Sequence, residues 1–212
     1  MEAPSTLGID VRFTDRVAIL ARTDAHQRFT TANPQGQNYV ARLNLPTAVG
    51  PIAIPDGWAS VDATAGGTTF RFVTTHLSGI ANPIQVAQGT ELLGVLGQTT
   101  LPVVLVGDFN SSATPAGLDA TPTYGNLVAG GLVDAWAATQ SGKTGYTCCQ
   151  HVPDLLNPVS TLSERIDFVF VRGSVRPEQV ERVGYEQEDR TPSGLWPSDH
   201  AGVVARLTLR QE

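Results

Sequence analysis

The 212-residue sequence predicts a mixed α/β domain. Short apolar runs bounded by Gly, Pro and polar residues recur along the chain, as strands packed into a core do. One longer stretch, between Pro83 and Gly97, spaces Ile84, Ala87, Leu92, Leu93 and Leu96 on an approximate helical face. Four strand-like runs carry an Asp, Asn or His at one end, and layered α/β folds gather their sites where strand ends and loops converge.

In chain order, strands are expected near 16–22, 38–45, 58–64, 69–76, 102–107, 166–172, 179–185 and 202–209. Pro83 suits the first turn of the helix that follows the fourth of these. A short helix is expected over Tyr124–Ala129, before Gly130-Gly131. A polar loop over 186–198 delivers Ser198-Asp199-His200, with Trp196-Pro197 as its anchor. Trp58, Trp136 and Trp196 read as core or anchoring residues. The 21 Gly and 14 Pro fit many short strands joined by turns. No repeat appears, and residues 1–212 read as a single domain.

Composition sets bounds on function. With 41% hydrophobic and 16% charged residues the chain is globular rather than disordered. No apolar run reaches the length of a membrane span, so no transmembrane segment is expected and the protein reads as soluble. Met1 is followed by an acid and no apolar run, so no signal peptide opens the chain; export remains open if a lost N-terminal segment carried one. The net charge is −6 and Lys143 is the only Lys, which works against a dedicated nucleic-acid surface. Bound cations can still offset acidic charge locally. The two cysteines are adjacent, so Cys148 and Cys149 can pair within the chain only as a vicinal disulfide. With His151 they do not match the spacing of a closed tetrahedral zinc site.

The chemistry concentrates in Gly107-Asp108-Phe109-Asn110, which closes the apolar run Pro102–Val106. Alternation along extended backbone points Asp108 and Asn110 to one side. A carboxylate beside a carboxamide suits a hard cation or a phosphate: one holds charge, the other donates to a phosphoryl oxygen or orients water. Asp and Asn are also ordinary turn residues, so the company they keep decides. Thr74-Thr75-His76-Leu77 ends one strand, Arg165-Ile166-Asp167 opens another, and Ser198-Asp199-His200 precedes a third.

This ordered set, over about residues 15 to 209, resembles the endonuclease/exonuclease/phosphatase superfamily, which includes DNase I-like nucleases, apurinic endonucleases, sphingomyelinases and inositol polyphosphate phosphatases. The resemblance implies a four-layer αββα sandwich of two mixed β-sheets. It also implies phosphoester hydrolysis by in-line water attack with Mg²⁺ or Mn²⁺. His200 is then the general base, oriented by Asp167. His76 contacts a phosphate oxygen or serves as the acid toward the leaving group. Asp108 and Asn110 position nucleophile and phosphoryl group, and Asp199 and Asp108 hold the metal. The substrate class is a phosphoester: nucleic acid, phospholipid headgroup or small phosphate ester.

The chain departs from the family pattern at its start. The family's strand–Asn and strand–Gln-Glu segments, the latter carrying a metal-binding Glu, have no counterpart before Arg16. Gln187-Glu188 and Gln211-Glu212 do not follow strands in that position. The sequence therefore reads as a member lacking most of its first half. His76 lacks the acid that the missing half supplies elsewhere in the family. The alternative function is a catalytically incomplete fragment or remnant that needs a complementing segment or serves as a binding module. Exposed sheet edges would then favour self-association.

Overall fold

A parallel strand pair joined by a helix organises the chain. The computed structural model describes residues 14–22, 29–48, 50–151 and 154–210. Its strands are β1 (Thr30–Asn38), β2 (Leu43–Leu45), β3 (Ile52–Ile54), β4 (Gly57–Ala65), β5 (Thr68–His76), β6 (Val103–Asp108), β7 (Val133–Asp134), β8 (Asp167–Arg172), β9 (Val175–Val183) and β10 (Gly202–Leu209). Its helices are α1 (Asn82–Leu96), α2 (Pro122–Ala129) and α3 (Ala135–Thr139). The main sheet runs β1-β4-β5-β6-β8-β7, with only β5 and β6 parallel and α1 as their crossover. A second antiparallel pair, β9–β10, packs on one face.

The central strands β6 and β8 are apolar on both faces because both are covered. On the helix side, Leu105, Phe109, Phe168 and Phe170 pack with Leu92 and Leu96 of α1 and Leu127 of α2. On the other side, Phe70, Val104, Val169 and Val171 meet Val180 of β9 and, less completely buried, Val203, Ala205 and Leu207 of β10. The described residues thus build three layers: helices, main sheet, and the β9–β10 pair with α3. A cavity of about 840 Å³ opens between the main sheet and β10, lined by Ile19, Phe70, Val104 and Leu207. It sits toward the β4–β5 turn, at the far end of the strands from His76.

Four local expectations change. Residues 14–22 form no strand: their burial alternates from Thr14 to Leu20, but no strand among the described residues pairs with them, and a ladder needs both. The expected strand 38–45 breaks after Asn38. There the Val40 and Ala41 N–H groups donate to the Glu91 carboxylate (2.8 Å each) while Tyr39 turns inward to the Thr75 hydroxyl. β1 is a strand where none is expected; it is an exposed edge strand whose register slips between Ala32 and Gln35, where Pro34 is tolerated. Finally, α1 is rotated from the face read in the sequence: it buries Gln85 and Gln88 with Leu92 and Leu96.

Candidate active site

The register of the main sheet brings the polar strand ends together. Gly57 lies opposite His76, His76 beside Asp108, and Asp108 opposite Asp167, across four neighbouring strands. β5 and β6 are parallel, so their carboxyl ends coincide. β8 is antiparallel, so its first residue joins them. Neighbouring strands lie about 4.8 Å apart, which sets three candidate site side chains on one edge within reach of a small ligand.

The turn after β6 needs two glycines. Gly107 has φ +145°, and a Cβ there would collide with the Thr75 carbonyl oxygen of β5. Asn110 then takes φ +45°, outside the strand, and its N–H donates to Asp108 Oδ1 (2.8 Å). Asp108 and Asn110 therefore converge through a left-handed turn that closes on the aspartate, not through strand alternation. Asn110 Nδ2 donates to the Leu77 carbonyl (2.7 Å) and lies 3.3 Å from His76 Nε2. Gly79 leaves room for this amide: a Cβ there would stand 2.8 Å from Asn110 Oδ1.

Two histidine–aspartate pairs flank Asp108. His76 Nδ1 lies 2.9 Å from Asp15 Oδ2 and 3.9 Å from Asp56 Oδ1, and its Nε2 lies 3.7 Å from Asp108 Oδ2. His200 Nδ1 lies 2.8 Å from Asp167 Oδ2. A carboxylate on Nδ1 sets the tautomer and leaves Nε2 to face a ligand. The acid missing from the sequence reading of His76 is thus Asp15, just before the segment expected as the first strand.

A short strap holds the second pair. Thr147 and Cys148 donate to the Glu164 carbonyl, Ala201 N–H donates to Thr147, and Gln150 N–H donates to Asp199. The Thr147 hydroxyl accepts the N–H groups of Ile166 and Asp167. Cys148 and Cys149, in the middle of this strap, are joined as a vicinal disulfide, so no thiolate is left for zinc. Trp196 is buried and donates from Nε1 to the Asn157 carbonyl, anchoring the loop that carries His200.

The electrostatics are those of an anionic site. Burial, then the charge of Asp167, pushes the Asp108 carboxyl up to about 6, against the opposing pull of Asn110 N–H, His200 and His76. The hydrogen bond to Asp167 raises His200 to about 9; burial works against this, and the charges of Asp167, Asp108 and Asp199 add to it. Burial lowers His76, but the Asp15 hydrogen bond and the charges of Asp108, Asp15 and Asp56 outweigh it, so its pKa ends above the ordinary value. Two groups, Asp108–Asp167–His200 and Asp15–Asp56–His76, each bring their ligand atoms within 4.8 Å of one another. Crowded carboxylate oxygens with a raised carboxyl suit a hard divalent cation.

Of the residues singled out in the sequence, His76, Asp108, Asn110, Asp167 and His200 meet at this edge. Asp199 is exposed; its carboxylate accepts from Ser198, and it belongs to neither acidic group. Gln187-Glu188 forms an exposed 3-10 turn beyond β9, and Gln211-Glu212 lies outside the described residues. Sequence reasoning missed Asp15, Asp56 and Thr147. Pro55-Asp56-Gly57 reads as an ordinary turn, which conceals an aspartate that is 4% exposed.

This is an acid–histidine centre at the strand ends of a mixed α/β fold. The chain belongs to the endonuclease/exonuclease/phosphatase family, whose sequence model matches residues 15–200. Solved structures share the fold at low identity. A mannosyl-6-phosphatase of Bacteroides thetaiotaomicron is 21% identical, with 89% of this chain and 69% of that chain covered and a TM-score of 0.60. D. rerio TDP2, complexed with a single-strand DNA product, is 17% identical over 85% of this chain and 69% of that one, at 0.59. The human Nocturnin catalytic domain, with a bound sulfate, is 18% identical over 86% and 60%, at 0.53. No curated protein sequence matches closely enough to count as a relative. No helix among the described residues is long and apolar enough to cross a membrane.

Proposed function

We propose that the protein is a divalent-metal-dependent phosphoester hydrolase acting by in-line attack of water. The observation that carries this is the register that sets His76, Asp108 and Asp167 side by side, with His200 bonded to Asp167. Family membership and phosphoesterase-fold neighbours support it.

Asp108, with Asp167 beside it, would hold Mg²⁺ or Mn²⁺, and Asp199 adds negative charge from outside the group. The cation supplies charge neutralisation on the phosphoryl oxygens and offsets the carboxylates that keep His200 protonated. Asp167 holds the His200 ring so that Nε2 can accept a proton from water. Asn110 and His76 face the phosphoryl group from the other side, with the His76 ring set by Asp15. The formal charge of −6 favours a small or headgroup phosphoester over a long nucleic acid.

A second reading, a chain that needs a complementing segment, is favoured by one observation. Among the described residues no glutamate joins either acidic group. Hydrolysis in ¹⁸O-water tests the mechanism. Attack at phosphorus places ¹⁸O in the phosphate product, and ¹⁸O in the released alcohol would overturn it. Label transfer by the chain alone would exclude the second reading.

A further inference from the structure

Helix α1 presents two glutamines to the core, Gln85 and Gln88, one turn apart and both 0% exposed. They lie on the face that also buries Leu92 and Leu96. A carboxamide at such a position is kept only where its donors and acceptors are met. Here they are met, and each glutamine sends one of its bonds to a turn that carries the site.

Gln88 grips the turn after β5. Its Oε1 accepts the Ser78 N–H (2.7 Å), and its Nε2 donates to Asp56 Oδ2 (2.8 Å) and to the Ala41 carbonyl (3.0 Å). Ser78 is two residues past His76, and the other oxygen of Asp56 faces His76 Nδ1. Gln85 grips the turn after β6. Its Nε2 donates to the carbonyl of Phe109 (2.6 Å), between Asp108 and Asn110, and its Oε1 accepts the hydroxyls of Thr121 and Thr123 (2.9 Å each). The two gripped turns meet at the Asn110 amide, which bonds Leu77 and faces His76.

We propose that Gln85 and Gln88 are positioning residues: as one rigid helical turn they set the distance between His76 and the Asp108–Asn110 turn. Neither touches the space where a substrate would lie. They act on turnover through the groups they hold, and this rests on the hydrolase reading above.

The test compares Gln85→Met and Gln88→Met, which keep side-chain length and remove the polar atoms. Each is expected to lower kcat about tenfold or more while KM stays within about twofold, because a misplaced catalytic group loses rate without losing binding. Asp62→Asn is the control: it weakens the part-buried Arg71–Asp62–Asn33 cluster and lowers the melting temperature with kcat unchanged. Gln88→Asn keeps the amide but shortens its reach, and serves if the methionine variant does not fold.

Imidazole ¹⁵N spectra of the four histidines give a readout without substrate. Gln88→Met is expected to shift His76 and leave His151 in place. Wild-type kcat in folded Met variants, or unmoved His76 signals, would overturn the proposal. An inactive wild type would remove the hydrolase reading, and the spectra would still decide whether Gln88 positions His76.

Discussion

Asp108 and Asp167 face each other in register across β6 and β8, the last residue of one strand opposite the first of the other. Burial, and then the charge of Asp167 facing it, raise the cost of ionising Asp108, which is pushed to about 6. The strain belongs to the metal-free site.

Asp108→Asn should therefore stabilise the metal-free protein while abolishing activity. A carboxyl whose folded pKa lies above its unfolded value of 3.8 costs stability once ionised. Its contribution is most favourable below pH 4 and declines as pH rises through 6. At pH 7 the variant should gain about 1–3 kcal/mol in urea melts. Added Mg²⁺ should then stabilise wild type by mass action but not the variant. A less stable variant in EDTA would contradict this.

His200 runs the other way. Its folded pKa, about 9, lies above the ordinary 6.5, so its stabilisation is complete below pH 6.5 and is lost as pH rises through 9. Asp167→Asn should bring the His200 pKa back toward 6.5 in an NMR titration of metal-free protein. It should cost about 2 kcal/mol near pH 6 and little above pH 9. A pH-independent loss of stability would contradict the assignment.

Thr147 supports Asp167 through its hydroxyl, which accepts two backbone N–H groups. Thr147→Val keeps the shape and strands both donors at a site only 1% exposed. The expected loss is about 2 kcal/mol, read by denaturant unfolding, with a fall in kcat. Thr161→Val, on the exposed part of the same loop, should cost far less.

Gly107→Ala tests the turn itself. The added methyl would meet the Thr75 carbonyl of the neighbouring strand, and the positive φ disfavours any side chain. The expected cost is about 3 kcal/mol or more, visible as insoluble expression or a collapsed melting temperature. Gly142→Ala shares a positive φ (+80°) but meets nothing within 4 Å, so it should cost only about 1–2 kcal/mol.

The centre of the fold was legible because β5, β6 and β8 are short apolar runs with polar ends, and strand order then forces His76, Asp108 and Asp167 together. α1 was legible as a helix but not in its facing. Its buried stripe includes Gln85 and Gln88, which a search for apolar periodicity counts as solvent-facing. Asp15 was illegible because its role depends on a contact 61 residues away in sequence. β1 was illegible because an edge strand has no buried face to impose alternation; all nine of its residues are exposed. The stretch 14–20 shows the converse: the alternation of burial is present, but pairing is not a local property.

The account turns on metal-dependent phosphoester hydrolysis centred on Asp108. The direct measurement is p-nitrophenol release from bis-p-nitrophenyl phosphate with Mg²⁺ or Mn²⁺ against EDTA, for wild type and Asp108→Ala. Release should require the metal and fall at least about a hundredfold in the variant. No release by wild type with either metal, or release undiminished in Asp108→Ala, would contradict it.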